Sequence, residues 1–569
     1  MSAPMINKLD ELLDRLGTGW WSILHYVTMG YCMALPTSHA LSGAFIAPRV
    51  KFTCVGVGHP PPEISDTFVS DDLLKLQNAS EAPEFPERHF NNSDRYCSHY
   101  DGVNESMQCI EWDFDKSVFT NTITSEFELI CERSYLRATY QSIYMGGVFV
   151  GSLLSAILAD KYGRKGVLVF GVIAFTTLGL ASSWMGNLSA LLICRFLMGV
   201  IMPFMSNACY IMVVEIAEAR LRPRLGILAG MPWACAVMVW GGLGYLIRDW
   251  RWLLFVTSAT GIFIIPVLWF IDESPRWLAV KGHHQRALKV LKRAGSWNRA
   301  ELPADEDALE ILMESRDHNA PTGSKPRNRG MKEVVFEKIK ETAILFRTPK
   351  LRWITSILYV DYLIVNLVYY GLSLNGGNLS DDPFLFMVLS GLMEAPAYSL
   401  PVPIVSRFGR RVPGALSFLL SGVALLAVSP LPKEYGWLIM ILAMAGKVAI
   451  STAFQIIIFY SSELFPTEVR RRGLGTCFMV SRIGSIVSPF VTEILGTTFP
   501  WAPSLLFGTC SVIASIAMLT LPETSGIALP DTIAQLEQRQ DKVRSWRIFR
   551  LPGRQNHEMT DKEESTDRL

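Results

Sequence analysis

Windows of about 20 mostly apolar residues, the length of helix that crosses a hydrocarbon layer about 30 Å thick, recur along this chain and restrict it to a membrane fold. One set lies at 20–46, 139–159, 166–185, 188–212, 225–247 and 252–271, and a second at 351–373, 383–405, 413–430, 437–462, 473–495 and 501–521. The expectation is an all-α membrane protein with twelve spanning helices in two six-helix halves, 20–271 and 351–521. Segment 1–19 precedes them, a helical loop 272–350 joins them, and 522–569 forms a tail. Half of the 569 residues are apolar and 18% are charged. Soluble domains of ordinary size cannot bury that much nonpolar surface, so lipid must be the solvent.

The formal net charge of +1 offers no bulk attraction to nucleic acid, so the information lies in where the charges sit. Residues 1–16 include Lys8, Asp10, Glu11, Asp14 and Arg15, too acidic and amphipathic for a cleaved leader. The first apolar helix is expected to stay and act as the insertion signal. Segment 48–138 carries Cys54, Cys97, Cys109 and Cys131 beside acceptor sequons at Asn78, Asn91 and Asn104. An even cysteine count beside sequons reads as an oxidised, glycosylated outer loop, with the pairing left open. Segment 272–350 has no cysteine and many basic residues, among them Lys289, Lys292, Arg293, Lys338 and Lys340, and belongs in the cytoplasm. The short loops around Lys161, Arg220, Arg407 and Arg470 fall on that same side under the positive-inside rule. Both termini are then internal and the membrane is the plasma membrane.

The halves also repeat each other. Asp160-Lys-Tyr-Gly163-Arg164-Lys165 is echoed by Ser406-Arg-Phe-Gly409-Arg410-Arg411. Glu215 with Arg222 is echoed by Glu463 with Arg470, and Asp272-Glu-Ser-Pro by Leu521-Pro-Glu-Thr. The three offsets agree to within a few residues, which marks two fused copies. Each glycine permits a tight turn between helices, and the neighbouring arginines can reach a carboxylate at the end of another helix. Such pairs would latch the cytoplasmic face in a rocking carrier. The competing reading treats the arginines as topogenic charges only.

These motifs resemble the major facilitator superfamily and, more narrowly, solute carrier family 22, the organic cation, anion and zwitterion carriers. The resemblance covers nearly the whole chain. It rests on the cysteine-rich loop after helix one, Thr122-Ile-Thr-Ser-Glu126, Glu273-Ser-Pro-Arg-Trp-Leu278, Phe346-Arg-Thr-Pro349, Tyr369-Tyr-Gly-Leu-Ser-Leu374, Glu394-Ala-Pro-Ala-Tyr398, Glu463-Leu-Phe-Pro-Thr467 and Leu521-Pro-Glu-Thr-Ser-Gly526. Two departures stand out. Ala156 replaces the glycine that opens the superfamily turn, and Ser406 replaces the aspartate of its second copy, which suggests a weaker second latch.

With a rise of 1.5 Å per residue, Asp361, Glu394, Lys447 and Arg482 fall near the membrane midplane. A charge there costs at least about 3 kcal/mol. They either neutralise one another or face a cavity or a substrate, and Glu394 and Arg482, flanked by prolines and small residues, suit a ligand best. The resemblance implies a glutamate such as Glu394 in cation and carnitine-type carriers, and an arginine at position 482 in anion and carnitine-type carriers. The mixed pair fits a zwitterion, its ammonium at the carboxylate and its carboxylate at the guanidinium fork. Aromatic faces bind ammonium groups. Tyr362 and Tyr369, seven apart on one helix face, are the candidates, and the resemblance adds Trp233, Phe454 and Gln455 to the cavity lining. His25, His39 and Arg195 are further buried polar residues, the histidines read as bundle contacts with proton coupling in reserve.

The expected function is therefore a secondary transporter of small organic cations or zwitterions such as carnitine-like, betaine-like or biogenic-amine compounds. An organic anion exchanger of the same family is the first alternative, and a non-transporting receptor or adhesion protein the second. No filter repeat, catalytic constellation, metal-ligand spacing or phosphate loop is evident in the sequence, so no cofactor, metal or enzymatic activity is expected. Sodium or a proton as coupling ion, and a monomeric state, complete the expectation.

Overall fold

A computed structural model describes residues 8–58, 98–100, 106–319, 342–380, 382–527 and 529–538. The first half contains α1 (Trp20–Ala34), α2 (Tyr135–Tyr162), α3 (Arg164–Ser182), α4 (Leu188–Ile216), α5 (Met231–Leu246) and α6 (Trp250–Phe270). The second contains α7 (Pro349–Leu374), α8 (Pro383–Ser399), α9 (Arg411–Val428), α10 (Gly436–Leu464), α11 (Arg470–Phe490) and α12 (Ala502–Leu519). Among the described residues, ten helices are long and apolar enough to cross a membrane, and α5 is a shorter apolar one. Each half packs largely around its own buried cluster, one including Met29, Tyr144 and Met205, the other Leu358, Phe418 and Ile456.

The window at 20–46 is not one helix. The chain breaks after Ala34 and continues as the short turns Thr37–Ala40 and Gly43–Ile46, because Pro36 has no N–H to continue the ladder. Backbone groups released inside a membrane need protein partners. Gln141 of α2 donates to the Ala40 carbonyl at 2.6 Å and accepts from the Gly43 N–H at 3.1 Å, and Arg195 of α4 donates to the His39 carbonyl at 2.9 Å. The break thus explains two polar residues buried in the first half.

The fold is all-α in its membrane part, but the segment after α1 adds a small antiparallel sheet that the hydropathy reading missed. Strands β1 (Phe52–Gly58), β2 (Ser98–Tyr100) and β3 (Ser106–Phe114) lie in the order β1-β3-β2. A Cys54–Cys109 disulfide ties β1 to β3, and Cys131 is also disulfide-bonded. Asn78, Asn91, Asn104 and Cys97 lie outside the described residues. This end of the bundle is the sheet end. At the opposite, arginine end, helices Pro275–Val280, His284–Asn298 and Asp305–Asn319 pack with the amphipathic helix Lys8–Leu16 around Leu12, Leu291 and Leu312.

Candidate functional site

The repeated motifs build the same knot in each half at the arginine end. Gly163 and Gly409 take positive φ, +92° and +83°, which lets the chain turn from one helix directly into the next. In the first half Glu273 accepts from the Arg164 N–H at 3.0 Å and the Lys165 N–H at 3.1 Å. In the second, Glu523 accepts from the Arg410 N–H at 3.0 Å and the Arg411 N–H at 3.1 Å. Each glutamate thus satisfies the free N–H groups at the start of α3 or α9 and complements the helix dipole. The adjoining arginine pairs with the glutamate of a neighbouring helix, Arg164 with Glu215 at 3.0 Å and Arg410 with Glu463 at 2.9 Å.

These ion pairs join helices within one half, not one half to the other. Among the described residues, the ion pair that crosses between halves at this end is Asp160–Arg471, at 3.4 Å and largely exposed. Ser406, standing where the copy of Asp160 would be, offers no second carboxylate, while the Arg410–Glu463 pair is as short as its counterpart. Arg222 and Arg470 do not reach the glutamates with which they repeat. Arg222 bonds Asp10 at 2.6 Å and the Ala217 carbonyl at 3.1 Å, and Arg470 bonds Phe465 and Thr467. The sequence motif pointed to the arginines and overlooked Glu273 and Glu523, although the repeat itself contained both.

At the centre, Glu394 of α8 and Lys447 of α10 form an ion pair at 3.2 Å. Tyr369 donates to one oxygen of Glu394 at 2.6 Å and Tyr398 to the other at 3.1 Å. Trp233 of the first half donates to the Tyr369 hydroxyl at 2.8 Å, and Lys447 bonds Ser373 while lying 3.6 Å from the centre of the Tyr369 ring. This network brings together Glu394, Lys447, Tyr369 and Trp233. It excludes Tyr362, whose hydroxyl meets Ser461 at 2.9 Å and whose ring lies against Phe478. Asp361 is fully buried with no hydrogen-bond partner on either oxygen. Phe454 and Gln455 are half-buried on α10 and make none of these contacts.

Two further arginines inside the bundle have no acid partner among the described residues. Arg482 of α11 is half-buried beside the Tyr370 hydroxyl and within electrostatic reach of Tyr144. Among the described residues no carboxylate lies within ion-pair distance of it. Arg195 of α4 is fully buried between the rings of Tyr140 and Tyr144, 4.4 Å and 4.5 Å from their centres, and bonds Ser42 at 2.7 Å. Close approach of α2 and α4 sets this sandwich: a Cβ on Gly199 would stand 2.1 Å from the Tyr144 carbonyl. His25 is held on both ring nitrogens, by the Trp21 carbonyl at 2.8 Å and the Asp272 N–H at 3.0 Å. His39 meets Ser258 at 3.2 Å.

The profile of the family described as Sugar (and other) transporter matches residues 91–533. An organic cation transporter protein of Drosophila melanogaster is 30% identical over 88% of this chain and 90% of its own length. Solute carrier family 22 member 6-A of Xenopus laevis is 33% identical over 76% of this chain and 75% of its own, and organic anion transporter 3 of Oryctolagus cuniculus is 28% identical over 93% of each. The inward-open xylose transporter XylE from E. coli shares the fold, with a TM-score of 0.56 at 15% identity over 91% of this chain and 98% of that one. The chain is a multi-pass membrane transporter, not an enzyme, and belongs to solute carrier family 22 of the major facilitator superfamily.

Proposed function

We propose that this chain is a plasma-membrane carrier that moves small organic anions, carboxylates foremost, by alternating access, with both termini in the cytoplasm. The observation that carries this reading is the asymmetry of the central charges. Both oxygens of Glu394 are engaged, by Lys447, Tyr369 and Tyr398, so its charge is answered within the protein. Arg482 has no such partner among the described residues and stands half-buried among tyrosines. A guanidinium in that position takes a carboxylate in a bidentate fork. This reverses the order expected from the resemblance, in which Glu394 meets an ammonium group.

Sidedness follows from chemistry at the two ends. The Cys54–Cys109 disulfide suits an oxidising exterior, and the arginine loops suit the cytoplasmic face. A zwitterion is the second reading, favoured by the position of Lys447 over the Tyr369 ring: a substrate ammonium that displaces Lys447 meets both the ring and Glu394. The test is saturable uptake of labelled benzoate, betaine and tetraethylammonium by cells expressing the full chain. Benzoate is expected to lead. Accumulation of tetraethylammonium without benzoate overturns the anion reading, and saturable binding without accumulation of any probe overturns transport.

A further inference from the structure

At the sheet end an internal carboxylate occupies a clamp made of two arginines. Glu493 lies on the π-helical turn Val491–Leu495 that follows α11. One of its oxygens accepts from Arg49 Nε at 3.2 Å, and the other from Arg137 Nη2. Arg49 and Arg137 belong to the first half and Glu493 to the second. These are the ion pairs that join the halves at this end among the described residues. The Arg137 side chain is 7% exposed, and its Nε is buried without a partner, so the clamp is more basic than one glutamate satisfies. Arg49, Arg137 and Glu493 line a cavity of about 450 Å³ that also contains Lys51, Asp115 and Asn375, a size suited to a small organic ligand.

We propose that Arg49 and Arg137 form a recruiting site for the carboxylate of an organic anion, and that Glu493 fills this site as an internal mimic until the substrate displaces it. The proposal deepens the anion reading above and rests on it. Arg49 is built to stay in place when the exchange happens. Its Nη1 donates to the Gly496 carbonyl at 3.1 Å, and its Nη2 to the carbonyls of Thr492 at 2.6 Å and Glu493 at 3.0 Å. Those bonds hold the guanidinium and the turn independently of the Glu493 side chain. What the exchange frees is the Nε edge of Arg49 and the Arg137 fork, which meet a carboxylate with charge-assisted hydrogen bonds. Releasing Glu493 also frees Arg137 of α2 from the second half, while Arg49 stays bound to the backbone carbonyls of that half, so occupancy by substrate loosens the contact of α2 with the second half at this end. Arg482 lies on the same helical run, eleven residues deeper and about 16 Å away at 1.5 Å per residue. The carboxylate then has a second guanidinium to move to.

The experiment measures benzoate uptake and the labelling of a cysteine at Ser142→Cys, whose native hydroxyl bonds the Ile486 carbonyl of the other half at 2.7 Å. Both are read in cells expressing the full chain with Glu493 intact or changed to Gln, normalised to surface abundance. Glu493→Gln is expected to lower the benzoate KM by about three- to tenfold, or about 0.6–1.4 kcal/mol, and to raise labelling by an impermeant maleimide. Adding Arg137→Gln is expected to cancel the gain in KM. Glu493→Asp, which keeps the charge on a shorter arm, is expected to fall between the two and guards against a Gln variant that fails to reach the surface. Benzoate uptake with KM and labelling unchanged in both Glu493 variants overturns the clamp and leaves the anion reading standing. No benzoate uptake by any variant overturns both.

Discussion

Glu394 and Lys447 stand 3.2 Å apart, with side chains only 1% and 2% exposed. Removing one member of such a buried pair strands the other charge and costs about 3–5 kcal/mol. Glu394→Gln and Lys447→Met are each expected to lower the thermal midpoint of the purified protein, and the double variant to recover much of the loss. Additive losses in the double variant would show that the two side chains do not act as a pair.

Arg482 predicts the opposite pattern. No described acid depends on it, so Arg482→Met is expected to leave thermal stability within about 1 kcal/mol of the parent. Loss of a charged hydrogen bond of about 1.5–3 kcal/mol is expected to raise the benzoate KM by about tenfold or more. Arg482→Asp is expected to move preference toward tetraethylammonium. Substrate panels measured side by side for the two variants check both outcomes, and an unchanged profile removes Arg482 from the site.

Asp361 shares the midplane with these groups but has no polar contact on either carboxylate oxygen. A buried polar group without a partner costs about 1–3 kcal/mol. Asp361→Leu is therefore expected to raise the thermal midpoint while leaving benzoate KM within about twofold. A large rise in KM without loss of stability would return Asp361 to the substrate path.

Gly163 supplies a local test of the knots. At φ +92° an added Cβ would lie 2.3 Å from the Glu273 Oε2 atom, whereas at Gly409 it would lie 2.8 Å from Glu523 Oε2. An L side chain in this conformation, extended at positive φ, costs about 1–3 kcal/mol before any clash. Both alanine variants are expected to reduce surface abundance, Gly163→Ala more than Gly409→Ala, as measured by surface biotinylation. Equal abundance of the parent and both variants would show that neither turn is needed.

What the chain's order of residues determined by itself is what depends on neighbours in sequence. Hydropathy over about 20 residues marks a spanning helix because the bilayer imposes that length, and duplicated motifs remain visible wherever duplication left them. Glu215 and Glu463 stood out as counterparts for that reason, as did Arg164 and Arg410, but the fold alone paired each arginine with its glutamate. The choice among Asp361, Glu394, Lys447 and Arg482 was different, since all four lie at similar depth and any pairing satisfies the same sequence. Tertiary packing decided it: α8 and α10 present Glu394 and Lys447 to each other, Tyr369 and Tyr398 close around the carboxylate, and Asp361 and Arg482 stay outside that pair. The arginine clamp was hidden for the same reason. Glu493 is 444 residues from Arg49 and 356 from Arg137, and no pattern of spacing along a chain encodes a contact made only when two halves close on each other.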